Sequence, residues 1–154
     1  MPDLLAGTTV NALDTPVTVA DFEVGSFTFT HTTYAITGEP ATVGVAFVAP
    51  TTGRAVLHYS CNITNSSTSS TLMTPVVREG TTVGSGTSFL AASDDNAIAV
   101  LPVAGSAAGL TFGGRALLVS GMTPGDDYNV RLEHRVSGST GTLTRRAVTV
   151  CPAT

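Results

Sequence analysis

Along most of the chain apolar and polar residues alternate with a period of two, the signature of half-buried β-strands, and no stretch of useful length carries a helical period. In "SFTFTHTTY" the pattern places Phe27, Phe29, His31 and Thr33 on one face and Thr28, Thr30, Thr32 and Tyr34 on the other. After the turn signal "TGEP" the run "ATVGVAFVAP" is almost continuously apolar, which predicts a strand covered on both faces and ended by Pro50. "TTG" supplies a turn in which Gly53 can take positive φ, and "RAVLHYSCNI" resumes with Ala55, Leu57, Tyr59, Cys61 and Ile63 facing one way.

Beyond the polar loop "TNSSTSST", the segments "LMTPVVREG" and "TSFLAAS" predict two short strands, with Pro75 placing the first near an edge or a bulge. "DDNAIAVLPVAGSAAGLTF" breaks the pattern and is read as a strand fragment followed by a crossing loop. "GRALLVSGM" and "YNVRLEHRVSG" flank the turn "TPGDD". In the second, Tyr128, Val130, Leu132, His134 and Val136 oppose Asn129, Arg131, Glu133 and Arg135. "LTRRAVTV" closes the set. Eight or so strands between Gly, Pro, Asp and Ser turns predict an all-β protein, a β-sandwich of the jelly-roll type. Residues 1–25 read as an extended N-terminal arm with a first short strand, and residues 26–154 as the sandwich domain.

Composition sharpens this picture. At 154 residues one domain with a real core is expected. Charged residues make up only 12%, against 42% hydrophobic, so the surface must be covered by Thr, Ser, Gly and Ala, which suits contact with other protein. The net charge is -4 and all seven bases are scattered Arg, leaving no basic stripe for nucleic acid. No signal-peptide pattern or membrane-spanning run is visible, so synthesis in a host cytoplasm and no membrane partner are expected.

Candidate chemistry is sparse. His31, His58 and His134 sit inside strand patterns without zinc-ligand spacing, and structural or interface roles suit them; gathered on neighbouring strands they would form a pH-sensitive cluster. "SDDN" (Ser93 to Asn96) and "GDD" (Gly125 to Asp127) lack the alternating ligands of a calcium loop and read as turn-capping residues. There is no nucleophile elbow, and Asn62 and Asn65, though in N-x-S/T triplets, read as polar surface. No catalytic residue, cofactor or metal is expected, and the chain is not expected to be an enzyme. Cys61 and Cys151 suit small strand residues, with a bridge between them left open.

With these strands and turns in view, "GVAFVAPTTGRAVLHY", "TPVVREGTTVGSGTSFLAA" and "LLVSGMTPGDDYNVRLEHRVSGSTGT" resemble the C1q/TNF-like jelly-roll modules in small virion proteins of tailed phages that infect actinobacteria. The resemblance spans roughly residues 26 to 150. It implies a homotrimer and a structural place in a virion. A decoration or minor capsid protein bound to the major capsid protein on the head exterior is the expected role, because the chain shows no fibre stalk. A tail-fibre or baseplate module that binds tail proteins or a host surface glycan is the alternative, although the absence of Trp argues against a sugar platform. On this reading Leu4, Leu5, Val10 and Leu13 of the arm anchor to the capsid, and the doubly apolar strand, through Val43, Val45 and Phe47, lines the trimer interface.

Overall fold

The structure, a computed structural model, describes residues 17–100 and 110–153. They form ten strands: β1 (Val19–Glu23), β2 (Phe27–Phe29), β3 (Gly44–Val48), β4 (Arg54–Asn65), β5 (Thr71–Glu79), β6 (Ser88–Leu90), β7 (Ile98–Val100), β8 (Thr111–Ser120), β9 (Asp127–Val136) and β10 (Gly141–Pro152). One sheet has the order β1-β10-β4-β8, with β2 also on β10, and the other has the order β3-β9-β5-β6, with β7 also on β5. Every pairing is antiparallel.

Strand order alone defines the jelly roll. β2 pairs with β10, β3 with β9, β4 with β8 and β5 with β6 and β7, so four nested antiparallel pairs are wound between two sheets. Apolar residues at alternate positions then meet in the middle: Leu57, Cys61 and Ile63 from β4, Val130, Leu132 and Val136 from β9, and Val148 and Val150 from β10 all belong to one buried cluster. Gly53 takes the predicted left-handed conformation (φ 63) in the turn joining β3 to β4, where its amide donates to the Pro50 carbonyl at 2.8 Å.

Three local expectations change in the folded chain. The strand expected across Ser26 to Tyr34 shrinks to Phe27–Phe29, because after β2 the chain leaves β10 and moves to β9. There the Val136 amide donates to the His31 carbonyl at 3.0 Å, and Ala35 bridges to His134. β5 lies inside its sheet, yet Pro75 faces an opening, since β7 pairs with Thr71 to Met73 and β6 with Val77 and Arg78, leaving Pro75 between them with no ladder donor to supply.

The third change concerns β3, an edge strand buried on one face only. Val43 and Phe47 are buried and Val45 packs against the core, while Ala46 and Val48 point outward and are exposed. The cover expected from a partner over Val43, Val45 and Phe47 is supplied by the facing sheet of the same chain. Leu4, Leu5, Val10 and Leu13 lie outside the described residues.

Candidate functional site

The two outer faces of the sandwich are built differently. On the outer face of β9 and β5, most side chains that point away from the core are nonetheless covered, whereas Ala46 and Val48 of edge strand β3 stay exposed. Asn129 is fully buried: its Nδ2 donates to the carbonyls of Gly80 and Ser85 at 2.9 and 3.1 Å, and its Oδ1 accepts from the Gly84 amide at 2.8 Å. These bonds hold the Gly80–Ser85 loop down on β9. Next to it Arg131 grips Glu133 at 2.6 Å, and Arg135 pairs with Asp94, which also accepts from the Tyr34 hydroxyl at 2.7 Å. Asp94 is therefore engaged by side chains of the same chain, and Ser93 caps the 3₁₀ turn Asp94–Asn96 by accepting from the Asp95 amide.

Among the described residues, the outer face of β1-β10-β4-β8 has no such cover. Register sets its rows: Phe22, Ala147, Ser60 and Gly114 lie side by side across four strands, and Ala20, Thr149, His58 and Ala116 form the next row. Val56 with Leu118 and Asn62 with Phe112 extend it to either end. Among these outward positions His58 is the one titratable side chain apart from Cys151. Arg54 begins β4 at one end and Arg145 sits at the bulge in β10. Phe22 and Phe112 are each 72% exposed and Leu118 is 48% exposed. At the centre lies an open depression of about 400 Å³ lined by His58, Tyr59, Ser60, Gly114, Arg115, Ala116, Ala147 and Thr149.

The histidines divide between two places. His58 stands on this bare face, whereas His31 and His134 meet inside the sandwich with ring centroids 4.7 Å apart, beside Phe29. The His31 ring nitrogen lies 2.9 Å from the His134 carbonyl, and burial lowers its pKa below the usual histidine value. His134 Nδ1 lies 3.1 Å from Glu39 Oε1. The same carboxylate oxygen faces Nη1 of the fully buried Arg146 at 2.9 Å, an approach of charges without the alignment of a hydrogen bond. Arg146 Nη2 donates to the Ala41 carbonyl at 2.9 Å and its guanidinium covers the Phe27 ring. This cluster ties the connector between β2 and β3 to β9 and β10, a structural use of groups that could otherwise do chemistry.

Neither Glu39 nor Arg146 stands out in the sequence as a site residue. Glu39 lies in a turn signal, and Arg146 becomes buried only through the bulge at Arg145, whose φ is 52. Cys61 and Cys151 are both free: Cys61 is buried in the core, where burial pushes its thiol up to about 12, and Cys151 is half-buried with its register partner Val56 on the outward side of the sheet.

No family model matches the chain, and no curated protein matches it. Among solved structures it is similar to the Eiger TNF from S. frugiperda, with 11% identity over 88% of this chain and 93% of that one at a TM-score of 0.46. It is also similar to a chain of the cyanophage Pam1 capsid asymmetric unit, with 20% identity over 99% of this chain and 95% of that one at a TM-score of 0.32. These likenesses are distant, and the assignment to the jelly-roll sandwiches rests on the strand order.

Proposed function

We propose that this protein is a virion structural protein, a homotrimeric decoration or minor capsid protein that associates through the outer face of β1-β10-β4-β8 and stabilises the exterior of a phage head. The bare face is the observation that supports self-association: a sheet surface with few charged side chains and with exposed Phe22, Phe112 and Leu118. The long strands β10, β4 and β8 and the five-residue β1, about 4.8 Å apart and at ~3.4 Å per residue, span on the order of 600 Å² before side-chain relief is counted. That approaches the ~800 Å² per partner of a standard stable interface. The resemblance of the strand-and-turn segments to phage virion jelly rolls supports the placement on a particle, and the shortage of convergent nucleophile, base and orienting groups supports a role without catalysis.

Mass measurement by light scattering, alone and with capsids, tests the first part, and a trimer is expected. A monomer under both conditions refutes it. Particles carrying the protein should also survive heat or osmotic shock better than particles lacking it, because a ligand of the assembled state alone favours assembly. Antibody labelling confined to the tail tip would replace the head with the tail as its location.

A further inference from the structure

The bare face carries its own knob and hole. In the row Phe22, Ala147, Ser60, Gly114, side-chain size falls from a phenyl ring on edge strand β1 to no side chain on edge strand β8. Along β8 the outward positions run Phe112, Gly114, Ala116, Leu118, so the low end of the row is a notch walled by two large apolar residues about 20 Å apart at ~3.4 Å per residue. The central depression opens onto that notch. Phe22 is 72% exposed, and among the described residues none buries it. Arg115, which also lines the depression, donates to the Ala97 carbonyl of its own chain at 3.2 Å.

We propose that Phe22 of one copy seats in the notch at Gly114 and Ala116 of the next copy. This inference rests on the homotrimer reading and adds the contact that builds it. Each copy gives its β1 edge to one neighbour and offers its β8 edge to the other, a heterologous contact that closes into a ring. Gly114 is absent of side chain because the neighbour's ring needs the space. Within its own chain a Cβ there would meet only the Ser60 Cβ at 3.8 Å and the Tyr59 carbonyl oxygen at 3.9 Å, ordinary contacts, and its φ is not left-handed. The single chain therefore has no use for glycine at this position.

Cysteine pairing tests the contact in the full chain. In a Cys151→Ser background, Phe22→Cys and Gly114→Cys are combined and oxidised. Within one copy the two positions are three strand spacings, about 14 Å, apart, well beyond the ~7 Å Cα separation a disulfide tolerates, so any bridge joins two copies. Cys61 is buried and stays silent. The expected product is a covalent ladder ending at trimer on a non-reducing gel, with each single-cysteine variant giving none. Phe22→Ala and Gly114→Leu should each weaken association at least about tenfold while unfolding with unchanged midpoint in the monomer. A trimer by light scattering that fails to cross-link overturns the contact and leaves the trimer standing. A ladder ending at dimer overturns the head-to-tail arrangement, and a monomeric parent overturns both.

Discussion

The outer faces of the two sheets are made from the same alternating pattern and finish in opposite states. On β9 the outward residues Asn129, Arg131, Glu133 and Arg135 are each matched within the chain, by a loop, an ion pair or a turn, and Asn129 and Glu133 end up buried. On β4 and β8 the outward residues are Val, His, Ser, Asn, Thr, Phe, Gly, Ala and Leu, with Arg54 at one end, and among the described residues none lies over Phe22, Phe112 or Leu118. A face that has matched its polar groups internally has little to offer a partner. A face that is uncharged and bare loses little by desolvation when another copy covers it. Under the proposed homotrimer, the difference assigns association to one sheet and fold reinforcement to the other.

The largest effect should come from uncovering the covered face. Asn129→Ala removes the three hydrogen bonds that anchor the Gly80–Ser85 loop and leaves one part-buried amide and two part-buried carbonyls without that partner. Each such group costs about 1–3 kcal/mol, and with partial relaxation of the loop a loss of about 2–4 kcal/mol is expected in urea unfolding. A loss under 0.5 kcal/mol would show that the loop contributes little and that the two faces differ less than their contacts imply.

The mirror experiment puts charge on the bare face. Ala116→Asp lies at an exposed strand position, so the monomer should change in stability by no more than about 0.5 kcal/mol. Three carboxylates would nevertheless be forced into a desolvated contact, and the mass by light scattering should fall to that of a monomer. An Asp at this position that leaves the trimer intact moves the interface elsewhere.

Thiol labelling sharpens the same contrast without mutation. A maleimide should modify Cys151 and spare Cys61, whose buried thiol is held at a pKa of about 12 and seldom ionises. Labelling of Cys151 should slow as protein concentration rises, because association covers the face it stands on. Equal rates across concentrations would place Cys151 outside the contact.

Much of this contrast was legible in the sequence, and what was not has a physical origin. Alternation assigned the inward residues of β4 and β9 correctly, because their partners on both sides keep the register. It does not tell what covers Val43, Val45 and Phe47, since a run of apolar residues reads alike whether cover comes from the same chain, as here, or from another. Arg146 was hidden by a phase break. Leu143 and Val148 both face the core although five residues apart, which a regular strand forbids, and the extra residue at the bulge between Thr144 and Ala147 reconciles them and turns Arg146 inward against Glu39. The phase break is visible in "LTRRAVTV", but its ion-pair partner, more than a hundred residues away in a turn, is not. The bare face was equally unreadable, because exposure of Phe22 and Phe112 depends on which loops fold over which sheet.

The smallest effect should come from Asp94, the most exposed link of the covered face, whose side chain is 55% accessible in its pair with Arg135. Hydrogen bonds from Arg135 first, and then from the Tyr34 hydroxyl, hold its carboxyl below the usual aspartate range. A depressed folded-state pKa means that the unfolded chain takes up this proton first as the pH drops. The pair's contribution is therefore complete above the unfolded value of about 3.9 and disappears as pH falls through the folded one. Solvent screening limits an exposed pair to about 0–1 kcal/mol, so Asp94→Asn should lower stability at pH 7 by less than 1 kcal/mol and flatten the profile between about pH 5 and 2 relative to the parent. Trimer mass should not change, since the pair stands on the face assigned to fold reinforcement. Loss of the trimer in Asp94→Asn would break the division of labour between the two faces more directly than any change in stability.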